Sequence, residues 1–302
     1  MELGMVGLGK MGSNMTVRLS RGGHDVVAFD VDESVVTSVT EQADRSTGAH
    51  SLADLVEQLD APRTVWIMVP AGEVTDSTID ELASHMEAGD VVVDGGNSRY
   101  TESVKHADAL NHKGIDFVDA GTSGGVWGLA EGYCLMIGAE RSVFERLEPI
   151  FATLAPPDGY ALVGEPGAGH FTKMVHNGIE YALMQAYGEG FDILASSDFN
   201  LNIEEIAEVW RHGSVIRSWL LDLAASALQK DPGLEQVSSF VQDSGEGRWT
   251  VEAAINQATP APTIALALFS RFASRQDDSF ANRMIAALRG EFGGHAVQAR
   301  KR

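Results

Sequence analysis

Short apolar runs alternate with stretches of helical period as far as Gly164, and beyond Gly167 the alternation stops. That change constrains the fold more than any other feature. Before it, Leu3–Val6, Asp25–Asp30, Thr64–Val69, Val91–Asp94, Asp116–Val118, Tyr133–Ile137 and Tyr160–Val163 read as strands, each a brief apolar run closed by turn residues. Between them, Met11–Arg21, Glu33–Gln42, Leu52–Leu59, Val74–Met86, Thr101–His112 and Val143–Leu154 carry apolar residues at helical spacing. This alternation argues an α/β, Rossmann-type doubly wound parallel sheet with strands buried on both faces. After Gly164-Glu165-Pro166-Gly167 only helical periods follow: Phe171–Ala195, then Ile203–Trp210, Ile216–Leu228, Val251–Gln257, Ile264–Phe272 and Ala281–Leu288. The expected organisation is a sheet domain over 1–165 followed by an all-α helical domain over 166–302.

The net charge of −21 over 302 residues narrows the partners. Nucleic acid needs a basic stripe, and none is present, so no nucleic-acid partner is expected. An anionic small molecule needs a local cluster of Arg and Lys. The acidity fits either an ordinary acidic cytosolic protein or adaptation to high salt, where self-repulsion is screened. No apolar run reaches the roughly 18 residues that span a bilayer, so no membrane partner is expected. Met1-Glu2-Leu3-Gly4 places no basic segment before an apolar one, so a signal peptide is not expected either. The single Cys134 fits a reducing, cytoplasmic location.

Gly7-Leu8-Gly9-Lys10-Met11-Gly12 fits G-x-G-x-x-G between a strand and a helix, the context that makes this pattern specific. Gly7 allows the tight turn, Gly9 lets backbone approach a pyrophosphate, and Gly12 lets helix and strand pack closely. The helix N-terminus then receives the anion. A purely structural glycine turn is the alternative. Asp30 ends the second strand, where a carboxylate accepts the ribose hydroxyls of NAD and repels the 2′-phosphate of NADP. Val31 and Asp32 follow, with no Arg to compensate, so NAD is the expected cofactor. Asp30 could instead be a turn residue, although Asp32 suits the capping role better. Val69, ending the Thr64–Val69 strand, and Asn97, after the Val91–Asp94 strand, complete the nucleotide candidates.

In the second half, Lys173, Asn177 and Glu180 fall within roughly 60° of one another on a helix, with Tyr181 beside them. Met174, Ile179, Leu183 and Ala186 lie opposite and suit a core. A solvated face is the alternative, but Gly167-Ala168-Gly169 just before it allows close approach of another backbone. Asp94-Gly95-Gly96-Asn97-Ser98 and Gly121-Thr122-Ser123-Gly124-Gly125 each follow a strand at its carboxyl edge, where such sheets bind ligands. No His, Cys or carboxylate cluster has ligand spacing, so no metal is expected.

Together these segments resemble the 6-phosphogluconate dehydrogenases. The resemblance rests on the nucleotide turn, Asp94–Ser98, Ser123-Gly124-Gly125 and Lys173-Met174-Val175-His176-Asn177-Gly178-Ile179-Glu180-Tyr181. It continues through Gly247-Arg248-Trp249-Thr250, Arg271 and Arg289-Gly290-Glu291-Phe292-Gly293-Gly294-His295. It covers nearly the whole chain and looks like the short form, without the helical duplication of longer members. Two departures stand out: Arg248 where longer members typically have Lys, and Asp30-Val31 where NADP-using members typically have Asn-Arg.

The resemblance implies oxidative decarboxylation of a phosphorylated sugar acid, as in the pentose phosphate pathway. Lys173 would be the base and Glu180 the acid. Asn97, Ser123, Gly124, Gly125 and His176 would hold the carboxylate and hydroxyls, with Asn177 beside them. Tyr181, Arg248, Thr250 and Arg271 would hold the phosphate. Arg289 and His295, placed beyond the last expected helix, would reach in from a neighbouring subunit of a homodimer or a larger assembly of dimers. A non-decarboxylating β-hydroxyacid dehydrogenase for a small unphosphorylated acid shares Lys173 and Ser123 but leaves Glu180-Tyr181 and the Arg289-to-His295 ending unexplained. A non-catalytic NAD-sensing protein leaves the lysine face unexplained.

Overall fold

A computed structural model of the chain describes residues 1–293, 296 and 298. The chain divides into two compact units, Met1–His176 and a second beginning at Asn177, a division that falls inside one long helix.

The first unit holds β1 (Glu2–Val6), α1 (Lys10–Arg21), β2 (Asp25–Phe29), α2 (Glu33–Thr40), β3 (Ser46–Gly48), α3 (Leu52–Glu57), β4 (Thr64–Ile67) and α4 (Glu73–His85). It continues through β5 (Val91–Asp94), α5 (Tyr100–Asn111), β6 (Asp116–Ser123), α6 (Gly128–Glu131), β7 (Cys134–Gly138), α7 (Arg141–Leu154), β8 (Tyr160–Gly164) and the start of α8 (Ala168–Ala195). The strands form one sheet in the order β3-β2-β1-β4-β5-β6-β7-β8. The order reverses beside β1, which opens a crevice at the carboxyl ends of β1 and β4.

Successive strand residues face opposite sides, so two cores sandwich the sheet. Val91 and Val93 join Met15, Leu19 and Phe151 on one side, while Val92 joins Leu55, Leu82 and Leu110 on the other. These side chains are at most 2% exposed, each contributing about 1.5–3 kcal/mol.

The structure differs from the expected sheet in three places. The short edge strand β3 carries Ser-Thr-Gly, with no apolar signal. The sheet is not wholly parallel: β7 runs antiparallel to β6, because the chain turns back through Gly124 to Gly132 instead of crossing over by a helix to the far end of the sheet. Gly124 and Gly132 take φ of +129° and +87° there. Finally, Gly121, Thr122 and Ser123 belong to β6 and pair with β7, so only Gly124 is left as loop and Gly125 opens a single 3-10 turn.

The second unit is helical: the remainder of α8, then α9 (Ile203–Trp210), α10 (Trp219–Lys230), α11 (Glu246–Asn256), α12 (Pro262–Ala273) and α13 (Phe280–Gly293). Its buried apolar clusters are small, one around Tyr181, Ala267 and Leu268 and another around Ala207, Ala225 and Leu228. Two expectations need correcting here. Arg289 lies within α13 and is exposed, since Gly290 does not stop the helix. On α8, Met174 is buried, but Ile179 and Leu183 are 51% and 45% exposed, and Ala186 is exposed too. Their apolar stripe finds no core among the described residues. His295 lies outside the described residues. Among the described residues no helix is long and apolar enough to cross a membrane.

Candidate active site

In the first unit the glycine turn has the geometry its spacing implies. Gly7 has φ +88°, where a side chain is strained. A Cβ on Gly12 would lie 2.0 Å from the Gly7 carbonyl oxygen, so α1 packs on the turn only without one. A Cβ on Gly9 would meet nothing within 4 Å, which leaves the approach to the α1 N-terminus open. Asp30 holds the turn: its Oδ2 accepts the Leu8 N–H at 2.6 Å and its Oδ1 accepts the Asp32 N–H at 3.0 Å. Asp32 caps α2 by accepting the Ser34 N–H at 3.0 Å, which frees Asp30 from that task.

These groups border a cavity of about 860 Å³. Gly7, Gly9, Lys10, Met11 and Gly12 line it at the turn, Asp30 and Val31 at the end of β2, and Val69 beyond β4; Leu8 is buried behind the turn. Gly95, Gly96, Asn97 and Lys173 also line it. An open glycine, a helix N-terminus and a fixed carboxylate in one cavity of this size fit a dinucleotide.

The loop after β5 is shaped from beneath. The buried Asp94 accepts the Gly96 N–H through Oδ1 at 2.9 Å. A Cβ on Gly95 would sit 2.1 Å from the indole nitrogen of Trp66. That glycine is therefore required by packing, and Asn97 is delivered to the cavity edge as a result. Ser123 and Gly124 are half-buried at the end of β6 and Gly125 is exposed.

Lys173 lies on α8 directly against β6. A Cβ on Gly121 would come within 2.7 Å of the Lys173 Cβ and 2.6 Å of the Gly169 carbonyl oxygen. The first turn of α8 is held by Asp119, which is fully buried. Its Oδ1 accepts the Gly167 N–H and its Oδ2 the His170 N–H, both at 2.6 Å. Burial pushes the Asp119 carboxyl up, opposed by His170 and by these two N–H groups. His170 Nδ1 lies 2.7 Å from Ser103 Oγ. None of Asp119, His170 and Ser103 stands out in the sequence, because their roles depend on strand–helix contacts between distant segments.

In the second unit α8 and α11 cross at glycines. A Cβ on Gly178 would lie 2.6 Å from Thr250 Cγ2, and one on Gly247 would lie 2.6 Å from the Tyr181 ring. The crossing brings together Asn177, Tyr181, Thr250 and the buried Glu246, whose Oε1 accepts from Asn177 Nδ2 at 3.0 Å. Tyr181 is buried and its hydroxyl accepts the Ser244 N–H at 3.3 Å. The Arg271 guanidinium stacks 3.4 Å from the centre of the Tyr181 ring and donates to the Gln242 carbonyl. The Arg248 guanidinium lies 4.5 Å from the centre of the Phe272 ring and pairs with Asp243. Arg275 pairs with Asp243 as well. The unit thus holds two guanidiniums on the Asp243 carboxylate and a third, that of Arg271, on the Tyr181 ring and the neighbouring Gln242 carbonyl. Glu246, Asp243 and Arg275 were missed from sequence, being single charged residues in a polar stretch. Glu180 is half-buried on α8, as is His176 in the first unit.

Fold and site define a dinucleotide-binding dehydrogenase of the Rossmann type with a helical C-terminal domain. Residues 2–164 match the NAD binding domain of 6-phosphogluconate dehydrogenase, and residues 169–291 match the 6-phosphogluconate dehydrogenase C-terminal domain. The chain belongs to the 6-phosphogluconate dehydrogenase family. It is 45% identical over 303 residues to the NAD(+)-dependent, decarboxylating 6-phosphogluconate dehydrogenase of Haloferax volcanii, covering 100% of this chain and 99% of that one. Among solved structures, Plasmodium falciparum 6-phosphogluconate dehydrogenase superposes with a TM-score of 0.84 at 24% identity over 99% of this chain; the chain spans 66% of that protein's length. Mycobacterium tuberculosis 3-hydroxyisobutyrate dehydrogenase shares the fold with a TM-score of 0.73 at 22% identity, covering 95% of this chain and 99% of that one.

Proposed function

We propose that the chain oxidatively decarboxylates 6-phosphogluconate to ribulose 5-phosphate and CO2 with NAD. The observation that carries this reading is Lys173 in the wall of the nucleotide cavity, on the helix that continues to Asn177, Glu180 and Tyr181. A nicotinamide bound in that cavity would supply the hydride acceptor. Lys173 as neutral amine takes the C3 hydroxyl proton during oxidation. The product is a β-keto acid, which loses CO2 readily, and the Lys173 ammonium stabilises the developing enolate oxygen. Glu180 then delivers a proton to the substrate's C2, which becomes C1 of ribulose 5-phosphate.

Asn97, Ser123, Gly124, Gly125, His176 and Asn177 orient the carboxylate and hydroxyls. Tyr181, Arg248, Thr250 and Arg271 hold the phosphate, for which planar guanidiniums are the best donors. Asp30 selects NAD over NADP. Along the sequence, the nucleotide domain passes into the substrate domain near Glu165-Pro166, a boundary supported by family matches ending at 164 and starting at 169, whereas the compact units divide later, at His176 within α8. The enzyme works in the cytoplasm as a homodimer or an assembly of dimers, with Arg289 and His295 completing the neighbouring pocket. The exposed Ile179, Leu183, Leu266, Phe269 and Ile285 support such an assembly, because apolar surface on this scale is what a second copy would cover.

The test is CO2 release with purified protein, NAD and 6-phosphogluconate. Stoichiometric CO2 and NADH support the proposal. Oxidation of a small unphosphorylated hydroxy acid without CO2 would favour the non-decarboxylating alternative.

A further inference from the structure

We infer that Asp119, together with Gly121, is a positioning element for Lys173. The inference rests on the reading of Lys173 as the base. Strand β6 contacts the start of α8 at two points, both within the first unit. At the first, the Asp119 carboxylate accepts N–H groups from Gly167 and His170, on either side of the point where the helix begins. At the second, two residues along the strand, Gly121 faces the Lys173 Cβ and the Gly169 carbonyl with no room for a methyl group. A Cβ on Gly169 would likewise come within 2.3 Å of the Asp119 carbonyl oxygen, and one on Gly138 within 2.1 Å of Asp119 Oδ1. The strand, the carboxylate and the helix therefore fit in one arrangement only.

Asp119 is not among the residues that line the cavity. Its full burial nonetheless demands a reason, because a carboxylate loses hydration there and regains it only from fixed donors. Those donors are the first N–H groups of α8, which a helix leaves without intrahelical partners. The same pair of bonds sets where the helix starts along the strand, and so where Lys173, three residues past His170, stands at the cavity edge. Ser103 supports the arrangement from α5 by holding His170 Nδ1 at 2.7 Å. Asn cannot replace Asp119: its single oxygen can accept one N–H, and its NH2 group would face the other.

The test is a double-mutant cycle, which isolates coupling between the two residues. Asp119→Asn is made in the wild-type enzyme and in Lys173→Ala, whose residual turnover, raised with methylamine as a free amine, no longer depends on where residue 173 stands. In the wild-type background kcat should fall between about 10- and 100-fold, the cost expected of a misplacement of about 1 Å, while NAD affinity stays within about twofold. In the Lys173→Ala background the same substitution should change turnover less than about twofold. Equal losses in both backgrounds would mean that Asp119 only stabilises the unit. No loss in either would remove it from the mechanism. If Lys173→Ala alone keeps wild-type turnover, the base assignment fails and this inference with it, a result distinct from the other two. Should Asp119→Asn not fold, Gly121→Ala pushes on Lys173 from the strand side with Asp119 intact. It should show the same dependence on background, and equal losses there would again overturn the inference.

Discussion

Asp243 and Arg248 form a two-point ion pair, Nε to Oδ1 at 2.8 Å and Nη2 to Oδ2 at 3.1 Å. Arg275 adds a bond of 2.6 Å to Oδ2, and the Asp243 side chain is only 3% exposed. The Arg248 bond, outweighing burial and joined by that of Arg275, lowers Asp243 from 3.8 to about 2. A carboxylate with a depressed value stabilises the fold above its ordinary value and loses that contribution as pH falls through the folded value. The wild-type enzyme should therefore lose stability between about pH 4 and pH 2. Asp243→Asn should flatten that part of the curve in thermal melts across pH. It should also raise the KM for the phosphorylated substrate several-fold by releasing Arg248 from its fixed position. An unchanged acid limb would show that the pair contributes little.

Asp30, the proposed ribose acceptor, is bonded on both oxygens to backbone N–H groups and so braces the glycine turn. The wild-type enzyme should prefer NAD. Asp30→Ser with Val31→Arg should shift kcat/KM toward NADP by about 10-fold or more, since one bidentate guanidinium contact supplies that much. Because Ser keeps only part of the brace, total activity should fall with both nucleotides. Higher wild-type efficiency with NADP would overturn the reading of Asp30.

Lys173→Ala should remove nearly all turnover and leave substrate affinity largely intact, because the guanidiniums of the second unit remain. Glu180→Gln should slow protonation at the carbon that becomes C1 of ribulose 5-phosphate more than it slows oxidation. Comparing NADH formation with ribulose 5-phosphate release in a single turnover separates these steps. Equal and wild-type rates for both would exclude Glu180 as the acid.

Assembly can be tested by complementation. Lys173→Ala and Arg289→Ala should each be nearly inactive alone. Mixed and reassembled, they should recover part of the activity, because one pocket of a mixed dimer carries neither defect. A fully active monomer in sedimentation experiments, or no recovery on mixing, would place Arg289 within its own subunit or outside the site.

Salt dependence distinguishes the two readings of the −21 charge. If the acidic surface is a high-salt adaptation, activity and melting temperature should rise together as KCl is added, since screening relieves self-repulsion. An optimum near zero added salt assigns the charge to ordinary solubility.

Much of this molecule is local and therefore legible in one dimension. The strands near the centre of the sheet announce themselves as apolar runs, and each glycine of the Gly7–Gly12 turn answers a steric demand set within a few residues of itself. The spacing of Lys173, Asn177 and Glu180 places them on one helix face without further information. Asp32 as the cap of α2 was likewise readable, because capping is local chemistry. What tertiary structure alone decided depends on contacts between distant segments. β3 forms because an edge is available beside β2, not because Ser-Thr-Gly favours a strand. β7 reverses direction because the chain turns at Gly124 and Gly132. Asp119, Asp243 and Glu246 are single acids among many in an acidic chain, and only folding brings Gly167, Arg275 and Asn177 to them. The exposure of Ile179 and Leu183 belongs in the same group: periodicity marks a face as apolar but does not say which surface will cover it.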